Sequence, residues 1–432
     1  MFGLICREMV AGENPFDVPA LLSRALTGVC SAWSSLVGVD ALLWSHIDTS
    51  MSLRDGLHLA DSDRRLGYQF AAYRRNSRDV ELHLRCQQKD LRRLQPYLRD
   101  MADRWSSIDV DGQTWRQPFV MERSYFDTTP PLSFPALRDL TVAARDIAED
   151  STFDLLECAP AVQRLRVWLE ANAYRWTTWG TAVLRLTLPV PAVLTSLCLT
   201  VDGVVGLDTR CLRMALERCS ATLETLDIRT NTTLDQMEPV SLPRLRELSM
   251  HGMACSLLQV LRTQVVRTLW VEEAYDLDDS TLDLLWGALE TGRLAGHALR
   301  LLQLTNSYHH DLLTSLQRIM DILDRAHNVE QLAVVCKEDP TYAATVHHVL
   351  SVLARTRDGP RLPHLRMMTL ALGDSAGDAT SLLCLGEFLD TRDRPDLHLI
   401  TDMDYPAEDY VCTFTLLEDE PDDGYYLDRD YV

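Results

Sequence analysis

Nine times between residues 137 and 370 the chain returns to one six-residue phrase with apolar side chains at its first, fourth and sixth positions. The copies are LRDLTV from Leu137, VQRLRV from Val162, LTSLCL from Leu194, LETLDI from Leu223, LRELSM from Leu245, VRTLWV from Val266, LRLLQL from Leu299, VEQLAV from Val329 and LRMMTL from Leu365. Alternation in the second half of the phrase marks a strand with one buried face, and its recurrence means that one small strand-containing unit is built repeatedly. The spacing runs from about 21 to about 36 residues. Proline stands two residues before the first apolar position at Pro135, Pro160, Pro243 and Pro363. Its fixed φ and missing N–H suit the entry to a strand.

Between the phrases lie stretches of helical period at 207–219, 278–292, 310–328 and 342–359. Leu312, Leu316, Ile319 and Leu323 fall on one stripe, Asp278 and Ser280 offer N-cap oxygens, and Gly292 and Gly359 offer helix stops. One strand and one helix cannot bury their own apolar faces, so neighbours must stack. The expected fold is an α/β solenoid of leucine-rich-repeat type, a horseshoe with a parallel inner sheet and outer helices. The asparagine usual after the third apolar position is absent from most units, so another group must tie the units together. The register of VLRLTL from Val183 is open. Residues 15–47 read as helices with Trp33 and Trp44 at large apolar positions, residues 80–84 as a strand, and the segment up to Val110 as a helix leading into a strand. The expected division is a helical segment at 1–50, the solenoid at 51–400 and an acidic, tyrosine-rich cap or tail at 401–432.

Carboxylates outnumber basic residues 63 to 42, for a formal charge of -21. That mean field repels phosphate backbones and anionic lipid, so nucleic acid and membrane surfaces are not expected partners. The 11 cysteines form no C-x-x-C pair; Cys158, Cys198, Cys219 and Cys384 lie in apolar stretches and read as reduced core residues. No run reaches the roughly 18 apolar residues of a membrane span, and a cytoplasmic or nuclear location is expected. Lys89 and Lys337 are the only lysines. Codon usage of a GC-rich genome is the preferred explanation of that bias, and scarcity of acceptor amines near a ubiquitin-transferring machine is the functional alternative.

The segment Val29–Ile47 carries V-C-x-x-W followed by L-W-x-x-I, filled by Val29, Cys30, Trp33, Leu36, Leu43, Trp44 and Ile47. It resembles the second half of an F-box as found in the F-box-like leucine-rich-repeat proteins of mushroom-forming fungi, and residues 76–84 and 104–108 look similar to downstream elements of that family. Of the family's opening helix only Phe2, Leu4 and Ile5 remain. The resemblance implies a substrate-recognition subunit of a cullin–RING ubiquitin ligase. Phe2, Leu4, Ile5, Val29, Cys30, Trp33, Leu36, Leu43 and Trp44 would meet a Skp-family adaptor, and the solenoid would hold a protein target. A scaffold for protein–protein interaction, unrelated to ubiquitin, is the alternative; there the first helices only cap the solenoid.

Strand side chains alternate, so Arg166, Trp168, Asp227, Arg229, His251, Trp270 and Glu272 are expected on the concave face, where a target would lie. Trp168 and Trp270 are the expected anchors, because large aromatics beside arginine dominate interface energetics. Catalysis is not expected, nor a cofactor, nor a metal. The pairs His309–His310 and His347–His348 are adjacent rather than four apart, and no phosphate loop, nucleophile elbow or zinc motif occurs. An enzyme with a site in the loops between units is a third, weaker reading.

Overall fold

The structure, a computed structural model, describes residues 41–49, 59–87, 91–112, 133–145, 150–152, 154–170, 183–202, 206–232, 234, 236–272, 281–305, 312–336, 362–372 and 398–401. They belong to two compact units, one up to Thr232 and one from Thr233. Both are α/β, built on parallel strands with helices in the connections.

In the first unit, β1 (His46–Asp48) is followed by α1 (Leu59–Asn76), β2 (Leu82–Gln87), α2 (Leu91–Asp100), β3 (Trp105–Gly112), β4 (Asp139–Arg145), β5 (Asp150–Thr152), β6 (Arg164–Glu170), β7 (Val183–Thr187), β8 (Ser196–Asp202), β9 (Gly206–Leu207), α3 (Thr209–Cys219) and β10 (Thr225–Thr230). Strands β1, β2, β3, β4, β6, β8 and β10 pair in that order, each parallel to the next. The short strands β5, β7 and β9 form a separate ladder. In the second unit come β11 (Val240–Ser241), β12 (Glu247–Gly252), β13 (Leu261–Arg262), β14 (Thr268–Glu272), α4 (Thr281–Glu290), β15 (Leu301–Thr305), α5 (Leu312–Arg325), β16 (Gln331–Cys336), β17 (Met367–Leu372) and β18 (His398–Thr401). Here β12, β14, β15, β16, β17 and β18 pair parallel in sequence, with β11 and β13 as a side ladder.

The alternation of the phrases is what makes these strands. Leu165, Val167 and Leu169 of β6 are buried, as are Leu197, Leu199 and Val201 of β8, while the residues between them face outward. Each fully buried leucine or valine contributes about 1.5–3 kcal/mol. Connecting helices add apolar residues of their own: Leu212, Ala215 and Leu216 from α3, and Leu282, Leu285 and Leu289 from α4. Trp105 is fully buried, and its indole N–H is satisfied by the Leu98 carbonyl at 3.0 Å. The Asp208 carboxylate caps α3 by accepting the Arg210 N–H at 2.9 Å. Gly292, at φ 68°, ends α4 in the left-handed conformation that glycine tolerates. Gly296 approaches the end of α5 so closely that a Cβ would lie 2.6 Å from the Arg325 carbonyl oxygen.

One backbone device joins neighbouring strands. The carbonyl of the residue just before a strand accepts two N–H groups from the residues entering the next strand. The Arg138 carbonyl takes the Gln163 and Arg164 N–H groups at 2.8 and 2.9 Å, Gln163 takes Thr195 and Ser196, and Thr195 takes Glu224 and Thr225. In the second unit Arg246, Arg267, Arg300 and Glu330 do the same for the strands that follow them.

All nine phrases carry a strand that begins two residues after the first apolar position. The expected helices at 207–219, 278–292 and 310–328 correspond to α3, α4 and α5, and the one at 342–359 lies outside the described residues, as do Asp278, Ser280, Gly359 and Cys384. Two readings are corrected, the helix up to Ile47 and the core placement of Cys198, and the structure supplies two features that the sequence left open, the register of VLRLTL and a helix over Leu59–Asn76. Val183 opens β7, which pairs with β5 and β9 and not with the main sheet. The helix expected to run to Ile47 is, where described, a 3-10 turn at Ala41–Trp44 followed by β1. That turn is closed by the Ser45 hydroxyl donating to the Leu42 carbonyl at 2.7 Å, and the exposed edge of β2 then recruits residues 46–48. Helix α1 was not expected, because Arg64, Arg65, Arg74, Arg75 and Gly67 dilute its apolar stripe. Cys198 is not a core residue; it occupies an outward position on β8, half-buried.

Candidate protein-binding face

The outward residues of the first unit form rows across the strands. One row places Asp48, Arg85, Asp109, Thr141, Arg166, Cys198 and Asp227 side by side on seven neighbouring strands. Charges of opposite sign alternate along it, with Arg85 Nε 3.6 Å from Asp109 Oδ2. Burial pushes the Asp109 carboxyl up to about 6; Arg85 opposes that, and Asp111 and Asp48 add to it. At the other end the Cys198 thiol donates to Asp227 Oδ2 at 3.4 Å. Burial, then the Asp227 carboxylate, pushes that thiol up to about 12, so it stays protonated and is a poor nucleophile at neutral pH.

The next row holds Ala143, Trp168, Thr200 and Arg229. Trp168 is 36% exposed, and its indole N–H donates to Asp202 Oδ2 at 3.0 Å. Arg229 Nε lies 3.8 Å from the other oxygen of that carboxylate. Asp202 thus holds an aromatic ring and a guanidinium from strands on either side of its own, and the polar edge of the ring is satisfied before any partner arrives. Four sequence candidates, Arg166, Trp168, Asp227 and Arg229, are brought onto this one face. Asp202, Asp109 and Cys198 join them. The polar phase of the SSIDVDG and SLCLTVD strands carried a signal for these three, but the Trp168–Asp202 pair spans 34 residues and only the strand register reveals it.

The second unit holds the other three candidates. In its rows Ser249, Trp270, Gln303 and Ala333 are neighbours, and so are His251, Glu272 and Thr305. His251 Nδ1 is 2.8 Å from Glu272 Oε2, and its ring meets Trp270 edge-on at 5.3 Å. Trp270 is half-buried; its indole nitrogen is shut from solvent and finds no hydrogen-bond partner among the described residues. A ring in that position contributes its edge and face, not a donor.

At the start of the first unit, Trp44 packs edge-on against Tyr73 with centroids 5.3 Å apart, and Ile47 is fully buried in β1. Beside them His46 and His83 stack at 4.4 Å. Burial, then His83, lowers the His46 ring to about 4, and burial lowers His83 as well. The remaining adaptor candidates, Phe2, Leu4, Ile5, Val29, Cys30, Trp33 and Leu36, lie outside the described residues, as does the side chain of Leu43.

Among the described residues no group of three or more His, Cys, Asp or Glu side chains is placed to hold a metal ion, and no helix is long and apolar enough to cross a membrane. Comparison of the chain with family models, with curated proteins and with solved structures gives no match.

Proposed function

We propose that the chain is a leucine-rich-repeat-type recognition protein that holds a protein target against the polar face of its parallel strands, acting as the substrate-recognition subunit of a cullin–RING ubiquitin ligase. The observation that supports target recognition is the Trp168–Asp202–Arg229 group, a half-exposed ring held rigid beside two further charged positions, Arg166 and Asp227. Such a ring gives large contact area at little entropic cost, which is the property of interface anchors. Residues that already have fixed partners bind without first having to be ordered. The ubiquitin half of the reading rests on the V-C-x-x-W and L-W-x-x-I elements.

A specific observation favours the second reading, an interaction scaffold without an adaptor. The last residues of the F-box-like segment are engaged inside the chain, Trp44 with Tyr73 and Ile47 within β1. Co-purification with a Skp-family adaptor separates the two. The ubiquitin reading expects specific binding that is lost in Trp33→Ala and Leu43→Ala; a folded chain that binds no adaptor leaves the scaffold. Target capture in either case is expected to fall at least tenfold in Trp168→Ala, and an unchanged affinity in that variant overturns the assigned face.

A further inference from the structure

At five of the strand entries of the second unit the residue just before the strand is charged, and the sign is nearly constant. The residue just before the strand is Arg246 at β12, Arg267 at β14, Arg300 at β15, Glu330 at β16 and Arg366 at β17. Backbone bonds between these residues, Arg267 N–H to the Arg246 carbonyl at 2.7 Å and Arg366 N–H to the Glu330 carbonyl at 2.7 Å among them, make them direct neighbours. All four arginines are exposed, and Arg244 is exposed in the turn before β12. Arg300 bridges to Glu330 at 3.4 Å, whereas Arg246, Arg267 and Arg366 have no carboxylate partner among the described residues. The same position in the first unit reads Arg138, Gln163, Thr195 and Glu224, so the backbone alone does not call for arginine there. In a chain of formal charge -21 a row of unpaired guanidinium groups is a site for carboxylates.

We propose that this arginine ridge is the docking site for the chain's own acidic segment Glu418–Asp423. Residues 402–432 hold eleven carboxylate side chains against the single Arg429, and five of the eleven fall within EDEPDD at 418–423. The lengths agree. Four steps between neighbouring strands, from β12 to β17, cover about 19 Å, and six extended residues cover roughly 17–20 Å. Pro421 favours an extended backbone in the middle of that segment. Strand β18 ends at Thr401 and pairs with β17. From there 17 residues lead to Glu418, a reach of up to about 55 Å, whereas the return along the strand to the ridge needs roughly 15–20 Å. A tethered segment acts at an effective concentration of roughly millimolar, so modest pairings suffice to keep it seated. The docked segment would exclude other acidic chains from the ridge. This inference does not depend on the ubiquitin reading.

The test uses the full chain and a fluorescein-labelled peptide of residues 415–426, with anisotropy read in 50 mM NaCl. Neutralising the tail with E418Q, D419N, E420Q, D422N and D423N is expected to tighten peptide binding at least tenfold over the wild-type chain, and adding R246S, R267S and R366S is expected to remove that gain. Equal binding to wild-type and neutral-tail chains overturns the tail as occupant and leaves the ridge to an acidic partner in trans. Binding that survives the arginine changes overturns the ridge. Should the arginine variant fail to fold, the wild-type chain still decides the matter. Cleavage by a glutamate-specific protease after Glu418, the glutamate of this segment not followed by proline, is expected to be at least threefold slower than in the free peptide at 50 mM NaCl and to equal it at 500 mM NaCl, where screening is strong. Equal rates at low salt overturn the proposal.

Discussion

The two units share a backbone plan and distribute their charge in opposite ways. In the first, charge lies on the strands: Asp48, Arg85, Asp109, Arg166 and Asp227 stand in one row. In the second, the corresponding row reads Ser249, Trp270, Gln303 and Ala333, and the charge has moved to the strand entries at Arg246, Arg267, Arg300 and Arg366. The buried strand positions differ less, because packing fills most of them with leucine, valine, isoleucine and methionine. The outward positions are free of that restriction, so they carry what distinguishes one unit from the other.

The comparison assumes that both faces rest on the same kind of core, and the largest effects test that. Trp105→Ala beneath the first face is expected to cost about 3–5 kcal/mol, and Leu302→Ala beneath the second about 2–5 kcal/mol, in chemical denaturation. A loss below about 1 kcal/mol at either site would break the premise.

Two groups of the first unit should also titrate, with opposing contributions: Asp109 in the charged row, and His46, which faces His83 in a separate row. His46, at about 4, lies below its unfolded value, so its contribution is fully present above pH 6.5 and falls as the pH drops toward 4; by pH 5 the loss is about 2 kcal/mol. Asp109, at about 6, lies above its unfolded value, so it favours the folded chain as the pH falls through 6, by about 1 kcal/mol at pH 5. Denaturation midpoints at pH 7.5 and 5 should therefore drop more in Asp109→Asn than in wild type, and drop less or rise in His46→Gln. Identical pH profiles for all three chains would mean that neither Asp109 nor His46 couples its proton to folding.

Alkylation of Cys198 is a finer probe of the same row. Asp227→Asn removes one of the groups that raise this thiol, and iodoacetamide labelling at pH 8 is expected to quicken roughly tenfold, a free-energy change of about 1.4 kcal/mol. An unchanged rate would mean that burial alone governs the thiol. The smallest effect is expected at the exposed Arg164–Asp139 pair, where Arg164→Ala should change stability by less than about 1 kcal/mol. A larger loss would mean that the charges of this face support the fold and not only its surface chemistry.

The strands were legible because their signal is local. In VQRLRVWL, buried and exposed positions alternate within eight residues, and β6 follows that pattern directly. What escaped the sequence depended on partners distant along the chain. His46–Asp48 became a strand because β2, beginning 34 residues later, offers an edge. VLRLTL has the alternation of the other phrases and yet joins β5 and β9, and nothing within the phrase marks that pairing. Trp168, Arg229 and Asp202 all stand at outward positions that alternation marks, but that one carboxylate serves both of the other side chains is visible only in the strand register.

The doubly used carbonyl before seven of the strands fixes alignment at a single point and places no such tie on the connections. Residues added or lost in the connections do not shift the pairing of the strands, because the next strand is indexed afresh at its own entry. A chain built this way can tolerate insertions of ten or more residues in one unit without disturbing its neighbours, which accounts for spacing that varies from about 21 to about 36 residues while the strands stay parallel and in order.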